Sequence, residues 1–381
     1  MHLTPGNRFN LFETGDEFFP ALEAALDRAE KEIHLETYIF ADDETGQRVA
    51  AALAAAARRG VIVRLLVDGF GSRDLVPGLR KLLVPAGVQI AIYRPTRTGF
   101  SLRIHHLRRL HRKLVVIDGV LAFCGGINLL ADHQSNPQAP PRYDFAISIE
   151  GPLAADVHRA MRRLWLRVHV EIGGLRRVPV PAPFADGALA CFLTRDNFRH
   201  RRHIENAYLS ALASAKKDVL IACGYFLPGR RMRRALLAAA KRGVRVRLLL
   251  QGQPDHLQIH YATQTLYRFF LANGVLIYEY SAAHLHAKVA LIDDDWATVG
   301  SSNIDPFSLW LSREANVVMR DHNIIARLRE SLEEALTRQA RPVTTEFARR
   351  LPLHQRLVGW TFYQLGRLII GLSGLAARNE F

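Results

Sequence analysis

One eight-residue pattern occurs twice in this chain. His111-Arg112-Lys113 with Asp118, and His286-Ala287-Lys288 with Asp293, both read H-x-K-x-x-x-x-D. Each is followed by a small-residue turn and an asparagine: Gly125-Gly126-Ile127-Asn128 and Gly300-Ser301-Ser302-Asn303. Every matched position is offset by 175 residues. Random placement at this composition yields the pattern about 0.01 times per chain. Two copies with matching tails therefore mean a duplicated catalytic half. The chain has 16 histidines but only 7 lysines, because arginine supplies nearly all its positive charge. Such a chain keeps lysine where a compact ammonium, rather than a planar fork, is wanted.

The duplication extends beyond the motifs. Ala55-Ala56-Ala57-Arg58-Arg59-Gly60-Val61 returns as Ala238-Ala239-Ala240-Lys241-Arg242-Gly243-Val244. Apolar spacing predicts helices over Phe18 to Ala29, Thr45 to Arg59 and Arg231 to Arg242. Val61 to Val67 and Val244 to Leu250 follow a glycine stop and read as buried strands. Leu114 to Ile117 and Val289 to Ile292 read as short strands ending at the motif aspartates. Residues i and i+2 share a face in a strand, so His111 stands beside Lys113 and His286 beside Lys288. The expected fold class is α/β. Two similar α/β domains, each a mixed sheet flanked by helices, are related by a pseudo-twofold. Gly173-Gly174 and Pro179, Pro181 and Pro183 mark the linker. The expected domains are residues 1–175 and 185–345, followed by an amphipathic tail over 346–381.

A length of 381 residues and 49% hydrophobic content give two globular domains with cores of their own. The net charge of +15 favours an anionic partner: nucleic acid, an acidic membrane surface or an anionic substrate. Cys124, Cys191 and Cys223 are neither a disulfide framework nor zinc-spaced. Met1 to Phe12 lacks the pattern of a signal peptide, and Leu357 to Leu375, broken by Gln364 and Arg367, is not an uninterrupted span.

Paired H-x-K sites suit phosphoryl transfer. One imidazole attacks phosphorus; the other protonates the leaving oxygen and later takes a proton from the incoming hydroxyl. Lys113, Lys288, Asn128 and Asn303 are the candidate phosphate-binding groups, carrying charge and donors to the phosphate oxygens. They stand where many phosphodiesterases place a metal ion, and no acidic cluster in the sequence resembles a two-metal site. No metal and no cofactor are expected. An acidic partner fixes a histidine tautomer, and Asp144 and Glu314 are the candidates. Asp118 and Asp293 belong to the motif but end their strands, which suits a mostly structural role.

These residues resemble the phospholipase D superfamily, whose hallmark is the paired H-x-K-x4-D, over residues 1 to about 345. Within it the chain is most similar to bacterial cardiolipin synthases of the type without N-terminal transmembrane helices. The narrower match is carried by Gly15-Asp16, Leu35-Glu36-Thr37-Tyr38-Ile39-Phe40, Val67-Asp68-Gly69-Phe70-Gly71-Ser72, Ala297-Thr298-Val299-Gly300-Ser301-Ser302-Asn303-Ile304-Asp305-Pro306 and Glu314-Ala315-Asn316. The resemblance implies the phospholipase D fold and a phosphatidyl-histidine intermediate, with His111 as nucleophile and His286 as general acid and base. It also implies crossed orienting pairs, Glu314 with His111 and Asp144 with His286. The implied reaction joins two phosphatidylglycerols and releases glycerol. The implied setting is the cytoplasmic side of the bacterial inner membrane, with a single chain completing the active site. Ala287 stands where related enzymes commonly have glycine, and the two turns differ as Gly125-Gly126 against Gly300-Ser301-Ser302. A different acceptor alcohol, or water, therefore stays open beside the transferase.

Leu357 to Leu372, preceded by Arg349, Arg350 and Arg356 and carrying Trp360, Phe362 and Tyr363, reads as an interfacial membrane anchor. The arginine-rich segment Arg94 to Arg112 reads as a grip for lipid phosphates near the site. A nuclease of the same superfamily is the rival of another substrate class. No nucleic-acid recognition motif accompanies the basic charge, so no nucleic-acid partner is expected.

Overall fold

The structure, a computed structural model, describes residues 2–73, 78–95, 108–133, 140–169, 178–196, 199–253, 256–305, 308 and 311–372; the side chains of 365–372 lie outside that description. Gly173-Gly174 and most of the Arg94 to Arg112 segment are among the residues left out.

In chain order the elements begin with β1 (Thr4–Glu13), α1 (Thr14–Asp27), β2 (Glu32–Thr37), α2 (Glu44–Arg58), β3 (Ile62–Asp68), α3 (Leu79–Leu83) and β4 (Gln89–Tyr93). Next come β5 (Lys113–Ile117), β6 (Leu121–Gly125), β7 (Phe145–Glu150), α4 (Pro152–Val168) and β8 (Ala188–Arg195). The second half brings α5 (His203–Ser214), β9 (Asp218–Cys223), α6 (Arg230–Lys241), β10 (Arg245–Gln251), α7 (Leu257–Gln264), α8 (Tyr267–Leu271) and β11 (Leu276–Tyr280). It closes with β12 (Lys288–Ile292), β13 (Trp296–Gly300), β14 (Glu314–Arg320), α9 (His322–Glu334), β15 (Ala340–Pro342), α10 (Thr345–Arg350) and α11 (Leu353–Leu372).

The chain forms two compact units. The first holds residues 1–194 and also takes Val299–Ser301 and Ser312–Met319 from the later sequence. The second holds Arg195–Thr298, Ser302–Leu311 and Arg320–Phe381. In the first unit the strand order is β14-β8-β1-β7-β6-β5-β2-β3-β4. Strands β2, β3 and β4 run parallel, and the β5, β6 and β7 pairings are antiparallel. The second unit repeats this, with β9, β10 and β11 parallel and β12 antiparallel to β9. Each unit is thus a mixed α/β layer structure, its parallel strands joined by helices.

The repeat shows in the details. Helices α2 and α6 both stop at a left-handed glycine, Gly60 at φ 93° and Gly243 at φ 87°, which lets the chain turn straight into β3 or β10. Asp43 caps α2 by accepting the Gly46 N–H. Helix α1 begins at Thr14, four residues before the apolar spacing starts at Phe18. Its first turn is polar, and Glu17 reaches back to the Glu13 N–H at 2.9 Å, so the start is set by capping rather than periodicity.

Burial on β2 and β3 alternates by face. Ile33, Leu35, Val63 and Leu65 join Leu22, Leu26, Val49 and Leu53 in the core under α1 and α2. On the other face Leu66 packs with Leu164 and Trp165 of α4. The β2 residues on that face are Glu32, His34 and Glu36, which makes it a largely buried polar stripe. Glu36 pairs with Arg112 through both carboxylate oxygens, and both side chains are nearly inaccessible.

Leu53 is fully buried on α2, so Leu53→Ala opens a cavity. We expect urea denaturation to show about 2–5 kcal/mol less stability. A loss under 1 kcal/mol would mean that α2 does not carry this core.

Candidate active site

The first unit builds its site around the start of β5. The segment before the strand is fixed by backbone pairing: Leu110 donates to the Asp68 carboxylate at 2.8 Å, and His111 donates to the Arg313 carbonyl at 2.9 Å. Asp68 is fully buried and also accepts from Phe70 and Gly71. Burial pushes its pKa up, while those three N–H donors and Arg109 pull against it.

His111 meets the carboxylate of Glu314, with Nδ1 3.0 Å from Oε1 and 3.1 Å from Oε2. Glu314 is fully buried and also accepts from the Ser301 hydroxyl at 2.6 Å. Ser301 is held in turn by the Ala315 N–H at 3.0 Å. A carboxylate at Nδ1 keeps the proton there and leaves Nε2 with its lone pair. The Tyr38 ring lies 4.9 Å from the imidazole, and Lys113 Nζ sits 5.5 Å from the Tyr38 centroid. Lys113 also donates to the His111 carbonyl at 2.7 Å. Burial, then the Asp68 charge, pushes the Tyr38 phenol up to about 12, so it stays neutral beside the lysine.

Asn128 follows β6 and accepts from the Ile39 N–H at 3.2 Å, which fixes its carboxamide beside the end of β2. Asp144 is buried just before β7. A Cβ on Gly126 would stand 2.2 Å from the Asp144 carboxylate, so only glycine fits there. Ser301 takes the same place in the second copy: Gly126 donates to the Phe145 carbonyl and Ser301 to that of Ala315, both at 2.9 Å. The copies share a backbone, but in one the Ser301 hydroxyl donates to the carboxylate, and in the other the Asp144 carboxylate packs directly against Gly126.

The second unit presents His286 and Lys288 at the start of β12. Lys288 is almost wholly buried and donates to the His286 carbonyl. Gly224, at the end of β9, lies so close that an added Cβ would stand 3.3 Å from His286 Cα. Asn303 is buried after β13, with its amide oxygen 3.9 Å from Cys223 Sγ. A cleft that includes Gly224 is also lined by Tyr225, Gln251, His256, His260 and Thr263.

The motif aspartates stand elsewhere. Asp118 and Asp293 follow the far ends of β5 and β12, about 17 Å of strand from the lysines that begin them. Both adopt a left-handed backbone, φ 53° and 51°. Asp118 accepts from the N–H groups of Glu30, Lys31 and Glu32, and Asp293 from those of Lys216, Lys217 and Asp218, at 2.7–3.0 Å. Each clamps the start of the neighbouring antiparallel strand, β2 or β9, so the structure does not bring them to the His–Lys pairs.

The reading of Arg94 to Arg112 as a phosphate grip is corrected at two of its arginines. Arg112 is buried against Glu36, and Arg109 stands 3.7 Å from buried Asp68. Buried carboxylates require such counter-charges, so neither guanidinium is a loose surface cation. Residues 96–107 lie outside the described residues. Ser301 and Tyr38 were not expected as site residues; the one signal for Ser301 was the unequal turn, Gly125-Gly126 against Gly300-Ser301. Cys124 and Cys223 are buried thiols pushed up to about 12 by burial, chemically quiet core residues.

Helix α11 packs on α7 through Gly359, where an added Cβ would lie 2.3 Å from the Tyr261 carbonyl oxygen. Leu353, Leu357 and Trp360 lie along the opposite stripe and are more than half exposed. Among the described residues, no helix is long and apolar enough to cross a membrane.

A family model described as cardiolipin synthase, phospholipase D-like domain, matches residues 22–165 and 208–336. Cardiolipin synthase B of Salmonella typhi is 42% identical over 348 residues, covering 89% of this chain and 82% of that protein. Cardiolipin synthase B of Escherichia coli K12 is 41% identical over 337 residues, covering 86% and 80%. A phosphatidylserine synthase structure from Haemophilus influenzae superposes with a TM-score of 0.71, covering 98% of this chain and 97% of the other. At 13% identity that likeness shows a shared fold.

Three N–H donors hold the Asp293 carboxyl below its ordinary value of 3.8, although burial opposes them. A depressed carboxyl stabilises fully above its unfolded pKa and loses that contribution as pH falls through the folded one. We expect Asp293→Ala to cost about 1–2 kcal/mol at pH 7, discounted for solvent at the strand edge, with the difference vanishing in acid. Thermal melts from pH 7 to pH 3 check this; a constant difference would refute the clamp.

Proposed function

Because the chain belongs to the cardiolipin synthase family of phospholipase D-like domains, we propose that it joins two phosphatidylglycerols into cardiolipin and releases glycerol. The observation that carries the mechanism is the paired contact of Glu314 with His111 Nδ1. It supports His111 Nε2 as the nucleophile. Attack on phosphorus forms a P–N bond and breaks the bond to the glycerol oxygen, which takes a proton from His286. A hydroxyl of the second phosphatidylglycerol then gives its proton to His286. Its oxygen attacks phosphorus, the P–N bond breaks, and His111 is restored.

Lys113, Lys288, Asn128 and Asn303 act on the phosphate oxygens as charge shifts during both displacements. The resemblance to the family assigns Asp144 to His286 as the counterpart of Glu314 with His111. One chain supplies both histidines, and no metal or cofactor enters these steps. Asp118 and Asp293 act through folding alone.

The proposed setting is the cytoplasmic face of the bacterial inner membrane, held peripherally. The exposed apolar stripe of α11 supports a bilayer as the partner rather than nucleic acid, and the net charge of +15 suits an anionic one. Helix α7 carries α11 and also lines the cleft beside His286 with Ile259, His260 and Thr263, so the proposed anchor lies one helix from that cleft.

Purified protein with phosphatidylglycerol vesicles, followed by mass spectrometry, should yield cardiolipin and glycerol. His111→Ala and His286→Ala should each lose about 10³-fold or more, and Glu314→Gln about 10²–10⁴-fold, as when an orienting carboxylate loses its charge. Phosphatidic acid as the main product would make water the acceptor, and DNA cleavage without lipid turnover would move the chain to the nucleases. Trp360→Ser should weaken vesicle sedimentation by about 1.5–3 kcal/mol; unchanged binding would remove α11 from the membrane contact.

A further inference from the structure

The polar face of β2 carries a second cluster at the end of the strand away from the catalytic residues. Glu32 and His34 share that face, and His158 of α4 packs onto it. Glu32 Oε2 lies 3.1 Å from His34 Nε2, and Glu32 Oε1 lies 3.3 Å from His158 Nε2. The two imidazole rings meet edge to face at 4.9 Å. His34 is 3% exposed and His158 1%, and neither ring nitrogen of His158 makes a hydrogen bond. A buried imidazole with both nitrogens unsatisfied is costly and calls for an explanation.

His34 poses a second conflict. Its Nε2 is 3.1 Å from the Glu32 carboxylate and 3.2 Å from Arg64 Nη1. A single imidazole nitrogen cannot donate to a carboxylate and accept from a guanidinium at once. A metal ion removes the conflict at His34 and gives His158 Nε2 a partner, because it takes one lone pair from each imidazole and one from the carboxylate. The three ligand atoms lie within 4.8 Å of one another. Metal–ligand bonds of about 2.0–2.1 Å set tetrahedral edges of roughly 3.3–3.4 Å, close to the two contacts present.

We propose that Glu32, His34 and His158 form a site for a divalent transition-metal cation of the zinc class. Two imidazoles and one carboxylate suit zinc, cobalt or nickel rather than magnesium or calcium. Arg64 stands 3.4 Å from Glu32 Oε2 and holds the place of the cation. Its side chain is 18% exposed, so it can swing to solvent when the metal enters. The site is structural rather than catalytic: Glu32 opens β2, while Tyr38 follows its other end, about 20 Å away. Its effect is to pin α4 to the sheet. That helix also receives Arg112, through the Ala160 carbonyl at 3.4 Å.

The test uses full-length protein stripped with a chelator and titrated with Zn²⁺ against a competing chelator, and with Co²⁺ read by its visible d–d spectrum. One equivalent should bind with a tetrahedral cobalt spectrum. Affinity should fall at least tenfold in His158→Ala and Glu32→Gln, and rise in Arg64→Ala, where the competing cation is gone. The gain in Arg64→Ala does not depend on how well the loss variants fold. Absence of stoichiometric binding overturns the proposal. So does binding that persists in His158→Ala and Glu32→Gln, which would locate it on other histidines. Because the readout is metal binding rather than lipid turnover, its failure is separate from failure of the proposed reaction.

Discussion

The buried contact between Glu314 and His111 fixes the imidazole of the first unit. A carboxylate with no access to water is costly unless hydrogen-bonded donors surround it. Here the donors are the imidazole and the Ser301 hydroxyl. The same requirement settles the backbone nearby. Asp68 takes the Leu110 N–H, Arg313 takes that of His111, and the histidine reaches the site with its ring direction already fixed. Such preorganisation removes reorganisation from the reaction step.

Much of this was legible in the sequence because the chain repeats itself. Two motifs with the same offset fixed His111, Lys113, His286, Lys288 and both asparagines as a set, and the glycine stops at Gly60 and Gly243 marked where helices turn into strands. Glu314 was legible as a carboxylate following its motif, and the family resemblance matched it to His111. The start of α1 was not legible, because its first turn is governed by hydrogen bonds and not by apolar spacing. Arg112 was misread as part of a basic loop. A string of arginines does not disclose that one of them faces Glu36, 76 positions earlier, across a closed layer.

The motif itself mixes two kinds of necessity. Its histidine and lysine stand together at one end of a strand. Its aspartate, five residues beyond the lysine, ties the opposite end to the start of the neighbouring antiparallel strand. The two copies do this with matching hydrogen bonds and nearly equal backbone angles, so the clamp is as much a part of the repeat as the site. Where the copies part, at Gly126 and Ser301, the difference lies beside the buried carboxylates of Asp144 and Glu314.

Glu314 reaches the first unit from 203 residues downstream of His111. During synthesis at about 5–20 residues per second, roughly 10–40 s separate the emergence of the histidine from that of its carboxylate. Over that interval the first unit lacks β14, and its imidazole has no partner to fix the proton. A contact of such sequence separation forms late in folding. The imidazole ring is therefore fixed only when most of the chain has been made, and an unfinished chain carries the motif histidine without the carboxylate that orients it.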